Sequence, residues 1–204
     1  MLTRSFLPST PSLGHSYSGA PDATRHVQTL MESAFGTLTD TLVGKAIVSQ
    51  GMETTVVTLP YHMMEGSLSH SMVNALGMQL AETLDCPVEV RLIRLSVPYL
   101  DASILAQWLT QDLEHSTFSQ TMATLMTLVG PTSVLTAVPG AITGIKVQLA
   151  GRLMTEPSLP RTVVQSASLG SFRSIPTQSL QAGSHMVTNL KGTFTLKVWL
   201  SVQA

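Results

Sequence analysis

Six cations, Lys146, Arg152, Arg161, Arg173, Lys191 and Lys197, fall between Gly140 and Ala204, where Glu156 is the sole acid, so this stretch carries a net charge of +5. Ammonium and guanidinium groups gathered without neutralising carboxylates do one kind of chemistry well. They bind phosphate and release the counterions condensed on a polyanion. Residues 1 to 139 hold the other five cations (Arg4, Arg25, Lys45, Arg91, Arg94) and eleven of the twelve acids, a net of −6, so the overall −1 conceals two opposed halves. Segregation of this kind points to nucleic acid at one end of the chain and a different partner at the other. Arg152 and Arg161 lead the phosphate-binding candidates, because each follows a turn-like segment and a guanidinium grips phosphate through two parallel bonds, which an ammonium cannot do. Arg173 comes next, followed by Lys146, Lys191 and Lys197. Against this stands the plainer role of a strand lysine as a solvated face or a guard on a sheet edge.

Other chemistries find little support. The histidines His15, His26, His62, His70, His115 and His185 include no pair four residues apart and no spacing suited to a metal. Cys86 is alone, which excludes an internal disulfide and a multi-cysteine zinc site. No Gly-x-Ser-x-Gly nucleophile motif is present, so neither catalysis nor a cofactor is expected. The 11 methionines suit irregular core or protein interface better than a metal. Trp199 could stack on a base, but an aromatic on a half-open sheet more often packs beneath a neighbouring segment.

The elements that must carry the cations read as strands. Ile145, Val147 and Leu149 alternate with Lys146 and Gln148, and Phe194, Leu196, Val198 and Leu200 alternate with Thr195, Lys197 and Trp199. With a period of two, the apolar set turns inward and the cations lie on the open face of a sheet. Before them, Asp101 is suited to cap a helix with the stripe Ile104, Leu105, Trp108, Leu109 and Leu113, and a second helix spans Phe118 to Val129. The first half reads as a helix from His26 to Leu42, short strands Lys45 to Ser49 and Thr54 to Leu59 around a Gln50-Gly51 turn, a helix from Met72 to Leu84, and a strand from Val88.

A chain of 204 residues can bury one core or two, and two domains are expected. Hydrophobic content of 44% with 11% charged residues is unlike a disordered tail and unlike a free monomer, so partners should cover much of the surface. Residues 1–25, rich in Ser, Pro and Gly, read as a flexible arm in preference to an import sequence. Ser116 to Ile145 contains no charged residue and is long enough to span a bilayer. Its hydroxyls and the breaks at Gly130-Pro131 and Pro139-Gly140 instead favour a buried helix followed by a covered loop, with no membrane partner.

Four ordered blocks carry a family likeness. Gly144-Ile145-Lys146-Val147-Gln148-Leu149-Ala150-Gly151-Arg152-Leu153, Pro160-Arg161-Thr162, Ile175-Pro176-Thr177-Gln178 and Gly192-Thr193-Phe194-Thr195-Leu196-Lys197-Val198-Trp199-Leu200 resemble the C-terminal domain of small-subunit ribosomal protein S-three. Pro98-Tyr99-Leu100-Asp101-Ala102 and the Trp108 helix resemble that family's link between domains, and the likeness runs from about His26 to Ser201. It implies an α+β chain: a degenerate prokaryotic-type K-homology domain over 26–98, then helices packed on an antiparallel sheet over 99–204. It further implies a structural constituent of the small-subunit head, bound to the 3′ domain of the ribosomal RNA and to neighbouring head proteins, beside the channel by which messenger enters.

Two departures from the family pattern matter. Where a Gly-x-x-Gly loop would let backbone approach phosphate, Gly66-Ser67-Leu68-Ser69-His70 keeps one glycine. Where bacterial members carry a basic cluster facing messenger, this chain has Leu113-Glu114-His115-Ser116-Thr117-Phe118-Ser119-Gln120. With the low overall charge, these losses point to a mitochondrial ribosome, in which added protein covers the chain. The competing readings are a K-homology module that binds RNA off the ribosome and a hydrophobic subunit of an organellar membrane complex.

Overall fold

The computed structural model describes residues 2–6, 20–36, 41–51, 54–64, 66, 68–135, 142–157, 160, 162–172 and 178–203. The chain divides into two units, Met1–Ser96 and Val97–Ala204, each mixing helices and strands around its own core. The first contains β1 (Leu2–Phe6), α1 (Ala20–Phe35), β2 (Thr41–Val43), β3 (Ile47–Gln50), β4 (Thr55–Met63), α2 (His70–Leu84) and β5 (Val88–Leu95). The second contains a 3-10 turn (Pro98–Leu100), α3 (Ala102–Leu113), α4 (Phe118–Leu135), β6 (Ile142–Ala150), β7 (Val164–Gly170), β8 (Gln178–Asn189) and β9 (Gly192–Gln203).

In the first unit, β4 and β5 run parallel and are joined by α2, because parallel neighbours require a crossover that returns the chain to its starting end. The strand order is β1-β5-β4-β2, with β3 also paired to β4. Alternation along β4 and β5 buries Val57, Leu59, Val88, Val90 and Leu92, and Val27, Met31 and Phe35 of α1 with Val73, Leu76 and Leu80 of α2 complete the core. Pro60 explains why the edge partner of β4 is split into β2 and β3. A strand residue directs its N–H and C=O to the same side; the Pro60 carbonyl accepts from Gly44 N at 2.9 Å, so its missing donor also faces that edge. Gln28 secures the break, accepting from Ala46 N at 2.7 Å through Oε1.

In the second unit the sheet order is β7-β6-β9-β8, antiparallel throughout. α3 packs on β8 and β9, and α4 packs on β6 and β7. Asp101 caps α3 by accepting from Ser103 N at 2.8 Å and Ile104 N at 3.0 Å, and of the expected stripe Ile104, Leu105, Leu109 and Leu113 are fully buried while Trp108 is half-buried against the same core. Phe118, Met122, Leu125 and Val129 of α4 meet Ile145, Val147 and Leu149 of β6 in one core with Leu196, Val198 and Leu200 of β9.

The structure departs from the sequence expectations at β1, α1, β2 and α4. The first helix begins at Ala20, inside the expected arm, and ends at Phe35, short of the expected Leu42, which lies in β2; Leu2–Phe6 of the arm pairs antiparallel with β5. β3 does turn back into β4, but Gln50 pairs with Thr55 inside the ladder and the turn closes between Gly51 and Thr54, with Gly51 N donating to Thr54 O at 2.9 Å; β2 precedes the pair as a separate strand. α4 continues beyond Val129 to Leu135, through the expected break at Gly130-Pro131, and residues 136–141 lie outside the described residues. A proline inside a helix ordinarily costs about 3 kcal/mol, through the missing N–H and its crowding of the carbonyl four residues back, which is why the sequence suggests a break there.

Candidate nucleic-acid interface

With both helices of this unit on one face of the β7-β6-β9-β8 sheet, the described residues of the unit leave the other face exposed. Period two places Lys146 and Gln148 of β6 and Thr195, Lys197 and Trp199 of β9 on it, beside Ser166 and Ser168 of β7 and Ala182 and Ser184 of β8. Lys146 stands opposite Ser168 on one side and Trp199 on the other; Lys197 stands opposite Gln148 and Ser184. Both lysines are exposed, and Trp199 is half-buried. The Lys146 Nζ lies 5.5 Å from the Trp199 ring centroid, a cation–π contact.

No Asp or Glu occurs in any of the four strands. The acids of this unit are instead Asp101, Asp112 and Glu114, at the start and end of α3, and Glu156 in the loop after β6. Among the described residues Lys146, Arg152 and Lys197 form no ion pair. On the first unit's sheet, by contrast, Arg91 Nε is paired with Glu89 Oε1 at 2.9 Å. The open face of the second sheet therefore keeps its positive charge available to an anion.

Arg152 sits just beyond β6 in a loop held from several directions. Its carbonyl accepts from Asn189 Nδ2 at 2.8 Å, and Thr155 Oγ1 donates to Ser116 O at 3.0 Å. Lys191 Nζ donates to Met154 O at 3.0 Å and to Glu156 O at 2.7 Å, while Gln165 Nε2 donates to the Glu156 carboxylate. Two of the three ammonium donors of Lys191 are thus engaged by backbone, so it braces the loop that presents the half-buried Arg152. The sequence-expected cations separate accordingly. Lys146 and Lys197 share the open face, Arg152 and Lys191 share a loop and hairpin end, and Arg161 and Arg173 lie outside the described residues.

Sequence reasoning did not find Ser168, Phe172 and Leu180. With Lys146 and Trp199 they line an open cleft of about 380 Å³ on the sheet. Phe172 occupies space that Gly144 leaves free: a Cβ there would meet Ser171 O at 2.6 Å and the Phe172 ring at 3.1 Å. Uncharged residues that converge only through strand register leave no linear signal.

Among the described residues no group of three or more His, Cys, Asp or Glu side chains is placed to hold a metal. His62 Nδ1 is 3.0 Å from Leu95 O, and His185 Nδ1 is 2.8 Å from Thr110 Oγ1, both partners within the fold. No described helix is long and apolar enough to cross a membrane. Residues 113–120 form the α3–α4 junction, where Ser116 Oγ meets Asp112 O at 2.7 Å and Thr121 Oγ1 at 2.6 Å.

Over 135 residues, 61% of its length, the chain is 34% identical to the small ribosomal subunit protein uS3m of Mycosarcoma maydis. It spans about half the length of that relative, the aligned portion being 50% of it. The family model described as mitochondrial ribosomal protein (VAR1) matches residues 45–203, which takes in the first unit from β3 onward and every described strand of the cationic sheet. The chain therefore belongs to the mitochondrial ribosomal protein (VAR1) family, as a divergent mitochondrial member of the S-three lineage of small-subunit ribosomal proteins.

Proposed function

We propose that the chain is a structural, non-catalytic constituent of the small-subunit head of the mitochondrial ribosome. In this reading it binds the 3′ domain of the small-subunit RNA through its second unit and supports translation. One observation carries the proposal: the second unit's sheet contains no acid, and its two lysines stand exposed on the face opposite the helices. Lys146, Lys197 and Arg152 supply phosphate contacts, Lys191 fixes the loop that carries Arg152, and Arg161 and Arg173 add charge nearby in sequence. Such contacts set affinity and register while leaving sequence unread.

The first unit serves as a degenerate K-homology domain over 26–98, followed by the C-terminal domain over 99–204. Parallel β4 and β5 joined by α2, with α1 on the same face, support that assignment. Gly66, at φ 93°, keeps one glycine of the phosphate loop. Neighbouring head proteins take the more acidic first unit, and messenger passes nearby without the basic cluster that grips it in bacteria.

The test is incorporation. Arg152→Glu and Lys197→Glu should each deplete the chain from small subunits sedimented out of mitochondria, whereas Arg25→Glu, an exposed cation on α1, should leave it there. Equal incorporation of all three would remove the sheet and its loop from the RNA interface.

A further inference from the structure

We propose that the cleft lined by Lys146, Ser168, Phe172, Leu180 and Trp199 receives one unpaired nucleotide of RNA, its base stacked on Trp199 beside Phe172 and its phosphate held by Lys146. The inference rests on the RNA-binding reading above and names the ligand of that face. Two rings at one opening offer the sequence-tolerant platform on which single-stranded bases stack. An ammonium 5.5 Å from the Trp199 centroid already occupies the ring face in the free protein. A base can take its place, because the lysine stem is flexible and the ammonium follows the phosphate. The Ser168 hydroxyl, on the strand beside Lys146, can serve a base edge or a ribose hydroxyl.

Charge complementarity favours a nucleotide over an apolar peptide, since four strands without an acid surround the opening and Lys197 lies on the same face two residues from Trp199. A duplex would not fit the scheme. Its bases are already stacked on one another, and a sheet face of this kind meets bases only when they are splayed out.

The experiment uses the full chain with Trp108→Phe, which leaves Trp199 as the sole indole. A single-stranded oligoadenylate should quench Trp199 fluorescence, and the same length of duplex RNA should quench it far less. Trp199→Leu and Phe172→Ala should each weaken oligoadenylate binding about tenfold, while Trp199→Tyr should retain most of it. No quenching, with unchanged affinity in Trp199→Leu, would overturn the nucleotide site. If Lys146→Gln and Lys197→Gln still lowered RNA affinity in that case, phosphate binding by the face would stand without it. Binding of polyglutamate to the face in place of any RNA would overturn both and make the occupant an acidic peptide.

Discussion

Lys146 and Lys191 carry the same ammonium and end in different roles because of what lies within reach of each. Lys191 meets the carbonyls of Met154 and Glu156 and holds a loop; Lys146 meets no carboxylate among the described residues and rests against an aromatic face. Lys191→Met should therefore cost about 1 kcal/mol in urea unfolding, below the range usual for a charged donor because the site is exposed. It should also speed amide exchange across 152–157. Lys146→Met should leave stability within about 0.5 kcal/mol, as expected of an exposed group away from special features, and should lower RNA affinity instead. Exchange in the 152–157 loop that is unchanged by Lys191→Met would show that the brace contributes nothing. In the sequence the two lysines are indistinguishable members of one charge cluster. What separates them is a long-range contact between the β8–β9 turn and the loop after β6, which composition and spacing do not encode.

At the scale of elements, the legible parts were those whose own periodicity settles them. β6 and β9 alternate apolar and polar residues, and α3 combines a capping acid with a stripe that can only face a core. Asp101→Ala should cost about 1 kcal/mol, since two N–H donors of the first turn lose their acceptor together. Equilibrium unfolding measures that loss, and Asp101→Asn should recover most of it. β7 and β8 gave no comparable signal. Their residues mix small, polar and apolar types without a sustained alternation, and they become strands because β6 and β9 offer ladder edges to pair with. Gly144→Ala tests this dependence on neighbours: the new methyl meets Ser171 O and the Phe172 ring, so it should shift Phe172 and cost roughly 1–3 kcal/mol. A neutral Gly144→Ala would mean that the segment after β7 yields at little expense. β1 lies in a stretch whose Ser, Pro and Gly content suggests an arm, and its pairing with β5 overrides that composition.

Across the whole chain, the charge imbalance that first suggested a polyanion becomes a directional surface once the fold is known. The acids of the second unit sit on α3 and its ends or in the loop after β6, while all four strands are free of them. The total charge of −1 therefore understates the attraction of the face, which acts over about 8 Å at physiological ionic strength. Three phosphate contacts, from Lys146, Lys197 and Arg152, should give the full chain a slope of log affinity against log salt of about −2 to −3. Each of Lys146→Gln, Lys197→Gln and Arg152→Gln should reduce that slope by about 1 or slightly less. Affinity measured for one RNA across a series of salt concentrations checks this directly. A slope near zero would mean that the sheet binds by apolar contact alone, and a slope well beyond −3 would bring Arg161 and Arg173 into the contact set. A slope that fell equally on Arg25→Gln would instead indicate non-specific attraction spread over both units, which the acids of the first unit argue against.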